Sequence, residues 1–541
     1  MKRLFIFACI LMMSSTLPLV AQNHRNQQPL LPLNPSDSPL FGKDIVINDQ
    51  PGQNQQGLTI CSAFNGWMYS CYWYRKDGRC NITVMKSTDM GMTWELFKSF
   101  PYGFPDQRVA RIDIKACGDT LPDLKLFIGA LLCDSNSFEG DAFVTRYNGL
   151  TGDPEAEVLN YYSNYIRDFC IATDMGIPSP DSNPNSIAII FSDAVWGHDT
   201  IICRTSVDGG YTFQNRGVGH STQVIADVDL AYGSSTSFNA GRYFATWEGK
   251  VNLNATLGHI YTAHSEPGIS GQFTTPVCLD NLDPDNTNKC RNPAISCQYG
   301  LMDNDSSNLT SILVFEKYDQ SSGNFDIKGY FNKQSTLTQY FQPFSFTNTF
   351  HNNIQPDIAY NPYDSNFAAT YYDKTEYRLP FLTQKLNFEN PQSWTPITLG
   401  YNDVPVLNIP FPRVIVNNEN RSDANVWIGD GTGGNGAAMF DAQYSTYTST
   451  DDKQGTMKTI KTYPNPCSSS LSFEFELESG DEIKITMFSM IGQPVGEHII
   501  KVNSPGRHVV KVDLSSFKGG CYLYRFSCEE YSSFGKVIVR K

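Results

Sequence analysis

The feature that most constrains this chain is a strand-like segment that recurs seven times between residues 58 and 414. Each copy ends on Ile, Leu or Val, and successive copies end 54, 57, 59, 65, 63 and 56 residues apart. The copies are Leu58–Ile60, Arg111–Ile114, Asp168–Ile171, Asp227–Leu230, Pro293–Ile295, Pro356–Ile358 and Pro412–Val414. A period of this length over most of a chain predicts a repeat architecture in which each unit contacts its neighbours.

Further strands follow within each period. A second apolar or aromatic run comes next, as at Trp67–Trp73 and Ile187–Phe191, and a third strand follows in several periods, as at His259–Thr262. A small sheet of three or four strands has a flat apolar face that needs neighbours on both sides, and a ring of sheets provides them. We therefore predict an all-β fold, a seven-bladed β-propeller over residues 41–447, with six blades as the alternative. The last period ends early, so we expect Gly42–Ile47 to supply its outer strand.

Two octets share the pattern Ser-x-Asp-x-Gly-x-Thr-aromatic, at Ser87–Trp94 and Ser206–Phe213. In such a pattern the Ser and Asp side chains bond turn amides, and the Gly adopts a positive φ. The octets resemble the Asp-box of the sialidase-like (BNR-repeat) β-propellers. The resemblance implies a structural role for Ser87, Asp89, Gly91, Thr93, Trp94, Ser206, Asp208, Gly210, Thr212 and Phe213.

The chain begins with Met1-Lys2-Arg3, an apolar run and a small-residue end, which is the order of a secretory signal peptide over residues 1–21. Residues 22–40 are rich in Asn, Gln and Pro and predict a disordered leader. Residues 448–457 are polar and predict a linker to a last domain at 458–541. We expect no transmembrane helix in the mature chain, because no later segment has the apolar length of a membrane span.

Residues 458–541 contain short runs in which apolar and polar residues alternate, as in Leu471–Leu477, which predicts a small Ig-like β-sandwich. This segment resembles the type A C-terminal sorting domain of the type IX secretion system of Bacteroidota. The residues that carry the resemblance include Tyr463, Pro464, Asn465, Pro466, Gly520, Tyr522 and Lys541. The resemblance implies the type IX machinery as a partner, and a mature protein that is secreted or attached to the outer cell surface.

Charge and cysteine content limit the function. The formal net charge is −14, and the acidic excess precedes Lys458, since the segment from there onward has 11 basic and 9 acidic residues. An acidic body argues against nucleic-acid binding.

Removal of Cys9 with the signal peptide leaves thirteen cysteines in a compartment that permits disulfides. Cys61–Cys71 and Cys117–Cys133 are the first candidates for bridges, with buried free thiols as the alternative.

The first strand of each propeller blade lines the central channel, so charged residues near the starts of these strands are the candidate site. Arg111, Arg167, Arg291 and Arg413 occupy comparable places and could bind a carboxylated sugar. Asp113, Asp168 and Asp357 are candidates for acid or base catalysis. The alternative is that these groups pair with one another and hold neighbouring blades together.

Two further motifs have the composition of ligand sites. Asp280, Asp283 and Asp285 place oxygen ligands in one loop, so calcium is the one cofactor that the sequence suggests, with an ordinary polar turn as the alternative. Gly431–Gly436 fits a nucleotide-binding glycine pattern, but the residues after it are strand-like, so we predict a hairpin loop.

These features favour a secreted or cell-surface propeller that binds a glycan or a protein ligand. The alternative is an enzyme, a sialidase-like glycoside hydrolase. Binding is favoured because the Arg-Ile/Leu-Pro tripeptide of sialidases does not precede the first octet.

Overall fold

The structure is a computed structural model of the chain. It describes residues 44–541 except 49, 51–52, 104–106, 135–136, 138, 175–183, 195–198, 222, 236–237, 266–271, 281–288, 300–308, 335–338, 347–349, 386–391, 399, 404, 407–409, 419–421, 433, 443–460, 478–480, 490–493, 503 and 528–531. The predicted signal peptide, leader and linker lie outside the described residues. The chain divides into two compact units, Met1–Gln443 and Tyr444–Lys541.

The described part of the first unit is built from strands, numbered here in chain order. They are β1 Ile45–Asn48, β2 Gln56–Ser62, β3 Met68–Lys76, β4 Arg79–Ser87, β5 Glu95–Tyr102, β6 Gln107–Cys117, β7 Lys125–Asp134, β8 Gly140–Asn148, β9 Pro154–Thr173, β10 Ile187–Asp193, β11 Asp199–Ser206, β12 Gln214–Ser221, β13 Val224–Ser235, β14 Phe238–Lys250, β15 His259–His264, β16 Val277–Cys278, β17 Cys290–Cys297, β18 Leu309–Tyr318, β19 Phe325–Gln334, β20 Gln339–Ser345, β21 Asn353–Asn361, β22 Asn366–Asp373, β23 Phe381–Lys385, β24 Thr395–Thr398, β25 Arg413–Val416, β26 Asp423–Asp430 and β27 Gly436–Ala442. The all-β prediction is confirmed.

Consecutive strands pair into sheets. Four sheets follow chain order as β2–β5, β13–β16, β17–β20 and β21–β24, and the order β6–β12 forms one seven-stranded sheet. The 20-residue strand β9 joins two four-stranded groups in that sheet, because its first part pairs with β8 and its last part with β10. The remaining sheet has the order β1-β27-β26-β25. Ile45 lies opposite Phe440, which confirms that a strand preceding the first repeat completes the last sheet.

The seven repeated segments of the sequence lie in β2, β6, β9, β13, β17, β21 and β25, apart from Pro412, which precedes β25 directly. These first strands contact one another in sequence: β2 with β6, β6 with β9, β9 with β13, β13 with β17, β17 with β21, and β21 with β25. β25 in turn contacts β2. The apolar clusters lie between neighbouring sheets, because each flat sheet buries its faces against the next one.

A β-bulge recurs near the start of these first strands. The pairing register shifts within β2, β13, β17 and β21, where Gly57, Asp227, Asn292 and Gln355 have φ values of 64°, 46°, 49° and 55°. Phe411, just before β25, has a φ of 48°. A left-handed conformation is costly for residues other than glycine, least so for Asn and Asp, so its recurrence indicates a shared role. The bulge redirects the following side chains, and no motif in the sequence predicted it.

The second unit contains two sheets. Its strands are β28 Lys461–Tyr463, β29 Ser470–Leu477, β30 Asp481–Ser489, β31 Pro494–Val502, β32 Gly506–Asp513, β33 Gly520–Ser527 and β34 Ser532–Val539. The sheet orders are β28-β29-β32 and β31-β30-β33-β34. Residues of both sheets, including Phe473, Ile485 and Phe526, form one buried apolar cluster. The alternation in the sequence therefore has its expected cause, one buried face on each strand.

The predicted disulfides are wrong. Cys61, Cys71, Cys117 and Cys133 are free and buried. Cys61 lies opposite Tyr69 while Cys71 lies opposite Thr59, so the two thiols are diagonal neighbours and not cross-strand partners. Cys117 and Cys133 lie at opposite ends of the β6–β7 pair, opposite Lys125 and Arg108. Burial raises the pKa of Cys61 and of Cys117 to about 12, which keeps these thiols unreactive.

The glycine-rich segment at residues 431–436 connects β26 to β27, and the Gly431 N–H donates to the Asn435 carbonyl at 2.8 Å. It is a hairpin loop, as predicted. None of the described residues belongs to a helix that could cross a lipid bilayer.

Candidate functional site

The first strands line a cavity of about 1040 Å³. Its charged lining consists of seven basic residues, Arg108, Arg111, Lys115, Arg167, Lys250, Arg291 and Arg413, and five acidic residues, Asp113, Asp168, Asp227, Asp229 and Asp357. The lining therefore has a basic excess, although the whole chain has a formal net charge of −14. The four predicted arginines and the three predicted aspartates all lie in this cavity.

Two of the arginines pair with aspartates on a neighbouring first strand. Arg111 Nη1 on β6 lies 3.1 Å from Asp168 Oδ2 on β9. Arg413 Nη1 on β25 lies 3.2 Å from Asp357 Oδ1 on β21. Each ion pair connects first strands of adjacent groups, and the side chain of Arg413 keeps 36% of its surface exposed.

The other two arginines pair with acidic residues that do not lie on a neighbouring first strand. Arg167 contacts Asp199 and lies 2.7 Å from Glu139, and only 11% of its side chain is exposed. Arg291 Nε donates to Glu316 Oε2 at 2.7 Å, and 29% of its side chain is exposed. All four arginines are therefore paired, and Arg413 and Arg291 offer more surface to the cavity than Arg167.

Four aspartates of the first strands accept a backbone N–H from the next first strand. The pairs are Asp113 with Ile171 at 2.8 Å, Asp168 with Val228 at 2.7 Å, Asp229 with Ile295 at 2.8 Å, and Asp357 with Val414 at 2.7 Å. The partners are 57 to 66 residues apart, which is the repeat period. A carboxylate that bonds a buried amide is worth more than a neutral acceptor, so these bonds tie adjacent sheets together. The recurrence of Asp at this spacing was the sequence signal for them.

The environment of these carboxyl groups shifts their pKa values differently. Burial opposes ionisation of Asp113, but Lys115 and Arg111 outweigh it and hold the pKa below its ordinary value. Burial raises the pKa of Asp168 to about 7, although Arg111 opposes the shift. Burial likewise raises the pKa of Asp357 against the opposing effect of Arg413. Asp168 is thus the predicted catalytic candidate that can carry a proton near neutral pH.

Asp227 and Glu248 form an acidic pair at the cavity that no sequence motif indicates. Glu248, opposite Ala226 in the β13–β14 pair, is fully buried, and neither carboxylate oxygen has a hydrogen-bond partner of good geometry among the described residues. Lys250 Nζ lies 3.4 Å from Glu248 Oε2. Burial, followed by the neighbouring carboxylate of Asp227, raises the pKa of Glu248 to about 10.

The next sheet also contains a fully buried glutamate, Glu316, but this carboxylate accepts hydrogen bonds from several donors. Glu316 stands opposite Arg291 in the β17–β18 pair, as Glu248 stands opposite Ala226. Its Oε1 accepts from Asn292 Nδ2 at 2.5 Å and from the Gln355 N–H at 2.8 Å, while Oε2 accepts from Arg291. Asn292 is the bulge residue here, where the preceding first strand has Asp227. Beside Glu248, the position equivalent to Asn292 is therefore occupied by the carboxylate of Asp227 and not by an amide donor.

The two octets form similar turns. In the first, the Gly91 N–H donates to Ser87 Oγ at 2.8 Å and the Thr93 N–H donates to Asp89 Oδ1 at 2.9 Å. The second octet repeats this set, with Gly210 N–H to Ser206 Oγ and Thr212 N–H to Asp208 Oδ1, both at 2.9 Å. Gly91 and Gly210 have φ values of 87° and 76°. Trp94 Nε1 donates to the Gly91 carbonyl at 3.0 Å.

Each octet packs against a strand outside its own four-stranded group. A Cβ added to Gly91 would lie 2.2 Å from the ring of Phe440 in β27, and one added to Gly210 would lie 2.8 Å from the ring of Phe127 in β7. The Trp94 and Phe440 rings meet edge to face, with centroids 5.5 Å apart. These contacts lie outside the charged cavity lining.

The calcium prediction is only partly within the described residues. Asp283 and Asp285 lie outside them. Asp280 Oδ2 lies 2.7 Å from His259 Nδ1, and Cys278 Sγ donates to Asp280 Oδ1 at 3.2 Å. The described neighbours of Asp280 are therefore nitrogen and sulfur donors, a set that differs from the oxygen ligands of calcium.

The residues of the sorting motif come together in the second unit. The Ile538 N–H donates to Asn465 Oδ1 at 2.9 Å, and Cys467 forms a parallel bridge with Val539. Pro464 and Pro466 follow cis peptide bonds, and Tyr463 Oη donates to Glu474 at 3.1 Å. On the other side of β34, Gly520 pairs with the same Val539, Tyr522 Oη donates to the Lys518 carbonyl, and Lys541 Nζ contacts the Ser515 carbonyl.

Residues 461–540 match the family model of the secretion system C-terminal sorting domain. This match identifies the tail. The sorting domain directs type IX export, so the protein is secreted or delivered to the outer cell surface, and the secretion machinery is a partner. A search among curated proteins found no match to the chain.

Similar solved structures cover about three quarters of this chain. The α-L-arabinanase of Penicillium chrysogenum in complex with arabinobiose is 11% identical, with 74% of this chain and 98% of that chain covered and a TM-score of 0.39. A structure of the Dos1 propeller is 10% identical, with coverages of 74% and 94% and a TM-score of 0.38. The polysaccharide lyase Uly1 is 9% identical, with coverages of 73% and 90% and a TM-score of 0.38. The chain is all-β with propeller-like neighbours, and similarity at this level carries no argument about ligand or activity.

Proposed function

We propose that the protein is an exported seven-bladed β-propeller that binds a glycan, or a protein ligand, in the cavity lined by its first strands. The contacts among the first strands lead from β2 through β25 and back to β2, and β9 serves two four-stranded groups. Both features support a ring of seven blades over six. The turns of the two octets support the proposed kinship with the sialidase-like propellers.

The observation that carries the binding proposal is the charge of the cavity. Seven basic and five acidic side chains line it, in a chain that is acidic as a whole. Such a lining concentrates ligands that carry carboxylates, because the basic groups create a local field opposite in sign to the rest of the protein. Arg291 and Arg413, the more exposed of the predicted arginines, would contact the ligand while retaining their pairs with Glu316 and Asp357.

The test is a glycan array probed with the purified full chain, including uronic-acid and sialic-acid glycans beside neutral ones. We expect retention of carboxylated glycans and at least tenfold weaker binding for Arg413→Ala, since a charge-assisted bond contributes about 1.5–3 kcal/mol. Arg507→Ala is the matched control, because this exposed arginine pairs with Glu474 in the sorting domain. Binding that is equal for neutral and carboxylated glycans, or insensitive to Arg413→Ala, would contradict the proposal.

A second candidate, a glycoside hydrolase, is favoured by the burial of Asp168, which is 5% exposed, because burial raises the pKa of this carboxyl group to about 7. A general acid must hold its proton near the working pH. Against this role, Asp168 already accepts bonds from Arg111 and from the Val228 and Phe169 N–H groups. Fluorogenic sialosides and arabinosides test this candidate: turnover by the full chain that is lost in Asp168→Asn would establish it and displace simple binding.

A further inference from the structure

A three-donor cluster lies on the edge of the β13–β16 sheet, away from the charged cavity lining. His259 begins β15, Cys278 ends β16, and Asp280 follows two residues later. The His259 Nδ1, the Cys278 Sγ and an Asp280 carboxylate oxygen all lie within 4.8 Å of one another. No other group of three His, Cys, Asp or Glu side chains among the residues that the structure describes comes this close together.

The cluster is held by regular structure. Tyr261 on β15 lies opposite Cys278, and the Leu279 N–H donates to the Ile260 carbonyl at 2.8 Å. Asp280 is 4% exposed, and its Oδ1 accepts from the Ile260 N–H at 3.2 Å. The side chain of His259 is 14% exposed. Two donors on paired strands, and a third held beside them by a backbone hydrogen bond, are preorganised for a ligand.

We propose that His259, Cys278 and Asp280 bind a divalent transition-metal ion, Zn²⁺, with a fourth position open to water. A nitrogen, a thiol sulfur and a carboxylate oxygen form a donor set that suits Zn²⁺, whereas calcium takes oxygen ligands alone. The Ile260 N–H that bonds Asp280 orients this carboxylate as an outer-shell partner does in zinc sites. The site is independent of the proposed ligand cavity.

Metal binding requires a small rearrangement with a balanced proton count. His259 Nδ1 and Asp280 Oδ2 are now 2.7 Å apart, as in an ordinary hydrogen bond. Two tetrahedral ligands at about 2.05 Å from zinc are about 3.3 Å apart, so this pair must open by about 0.6 Å. For His259 to bind through Nδ1, the proton on this nitrogen passes through solvent to Nε2, so that the ring stays a neutral imidazole. The thiol proton of Cys278 is released to solvent, and the imidazole nitrogen, the thiolate sulfur and the Asp280 carboxylate oxygen each donate an electron pair to the ion.

The test is metal analysis and cobalt substitution in the purified full chain. We expect one zinc per chain after dialysis, and replacement by Co²⁺ should give a thiolate-to-cobalt charge-transfer band. Cys278→Ser should abolish the band. His259→Gln should weaken cobalt binding by more than about 100-fold, because losing a direct ligand costs more than the 10–100-fold cost of losing an outer-shell partner.

The matched control is His351→Gln. His351 Nδ1 pairs with Asp373 at 2.8 Å, as His259 pairs with Asp280, but belongs to no three-donor group among the described residues. This variant should retain full cobalt binding. Near-ultraviolet circular dichroism checks that each variant is folded. Absence of stoichiometric metal in the wild-type chain, or a folded Cys278→Ser variant that keeps the charge-transfer band, would overturn the proposal.

Discussion

Replacement of Asp227 by Asn should stabilise the protein at neutral pH. The folded chain holds a proton on Glu248 up to a pKa of about 10, whereas an unfolded chain releases it near the ordinary value of 4.5. Between these values the folded state binds more protons, so the free energy of unfolding falls by about 1.4 kcal/mol per pH unit as the pH rises. At pH 7 the accumulated loss is about 3 kcal/mol.

Only part of this loss comes from Asp227, because burial is the larger cause of the shift and persists in the variant. Asn at position 227 can donate to Glu248 as Asn292 donates to Glu316, and Asn292 already adopts a similar positive φ of 49°. We therefore expect Asp227→Asn to raise the free energy of unfolding by about 1 kcal/mol at pH 7, roughly one hydrogen bond to the protonated Glu248 carboxyl group. Removal of the neighbouring carboxylate should also lower the pKa of Glu248, so that stability falls less steeply as the pH rises.

The assay is urea unfolding at several pH values between 5 and 8, followed by tryptophan fluorescence. The reciprocal change Asn292→Asp is the matched control, since it places a second acid beside Glu316 and should lower stability increasingly as the pH rises. If Asp227→Asn leaves both the free energy of unfolding at pH 7 and its dependence on pH unchanged, the contact between Asp227 and Glu248 does not cause the loss of stability, and the prediction is refuted.

Two further predictions follow from the octets and the tail. Gly91→Ala should lower the free energy of unfolding by about 2–4 kcal/mol, since its Cβ would meet Phe440 at 2.2 Å in addition to the cost of a positive φ. Gly434→Ala, at a φ of 75° with open space around it, should cost only about 1 kcal/mol in the same urea titration, and equal losses would refute the packing argument. Deletion of residues 461–540 should retain the protein inside the cell, as measured by fractionation, while unfolding of the first unit is unchanged; export without this segment would contradict its role.

The sequence predicted the parts of the fold that repeat. Periodic apolar segments mark the first strands because every sheet must bury the same faces, and the octets mark turns whose hydrogen bonds are local. The closing strand was predicted because the last period lacked one. The disulfide prediction failed because two cysteines on neighbouring strands need not lie opposite each other. The register of β6 with β7 cannot be read from the spacing of the cysteines in the sequence.

For the candidate site, the sequence located the charged first-strand residues and suggested pairing among them, as Arg111 and Arg413 show, but not the partners of Arg167 and Arg291. The pairing of Arg291 with Glu316, and the amide bonds that the aspartates accept, depend on bulges that turn side chains at the strand starts. Glu248 was missed because it lies on a second strand, directly after the mainly apolar run Tyr243–Trp247. The cluster of His259, Cys278 and Asp280 was missed because pairing of β15 with β16 joins residues about 20 positions apart.

The pairing of β1 with β27 has a consequence for how the molecule is completed. The two strands are separated in the chain by nearly the whole first unit. β1 can therefore pair only after β27 has been synthesised. A chain cut short anywhere before Gly436 would leave β1 without its neighbour, and its unsatisfied amides and carbonyls would be open to pairing with other chains. Completion of this sheet by β1 thus requires that both ends of the first unit are present in the same chain.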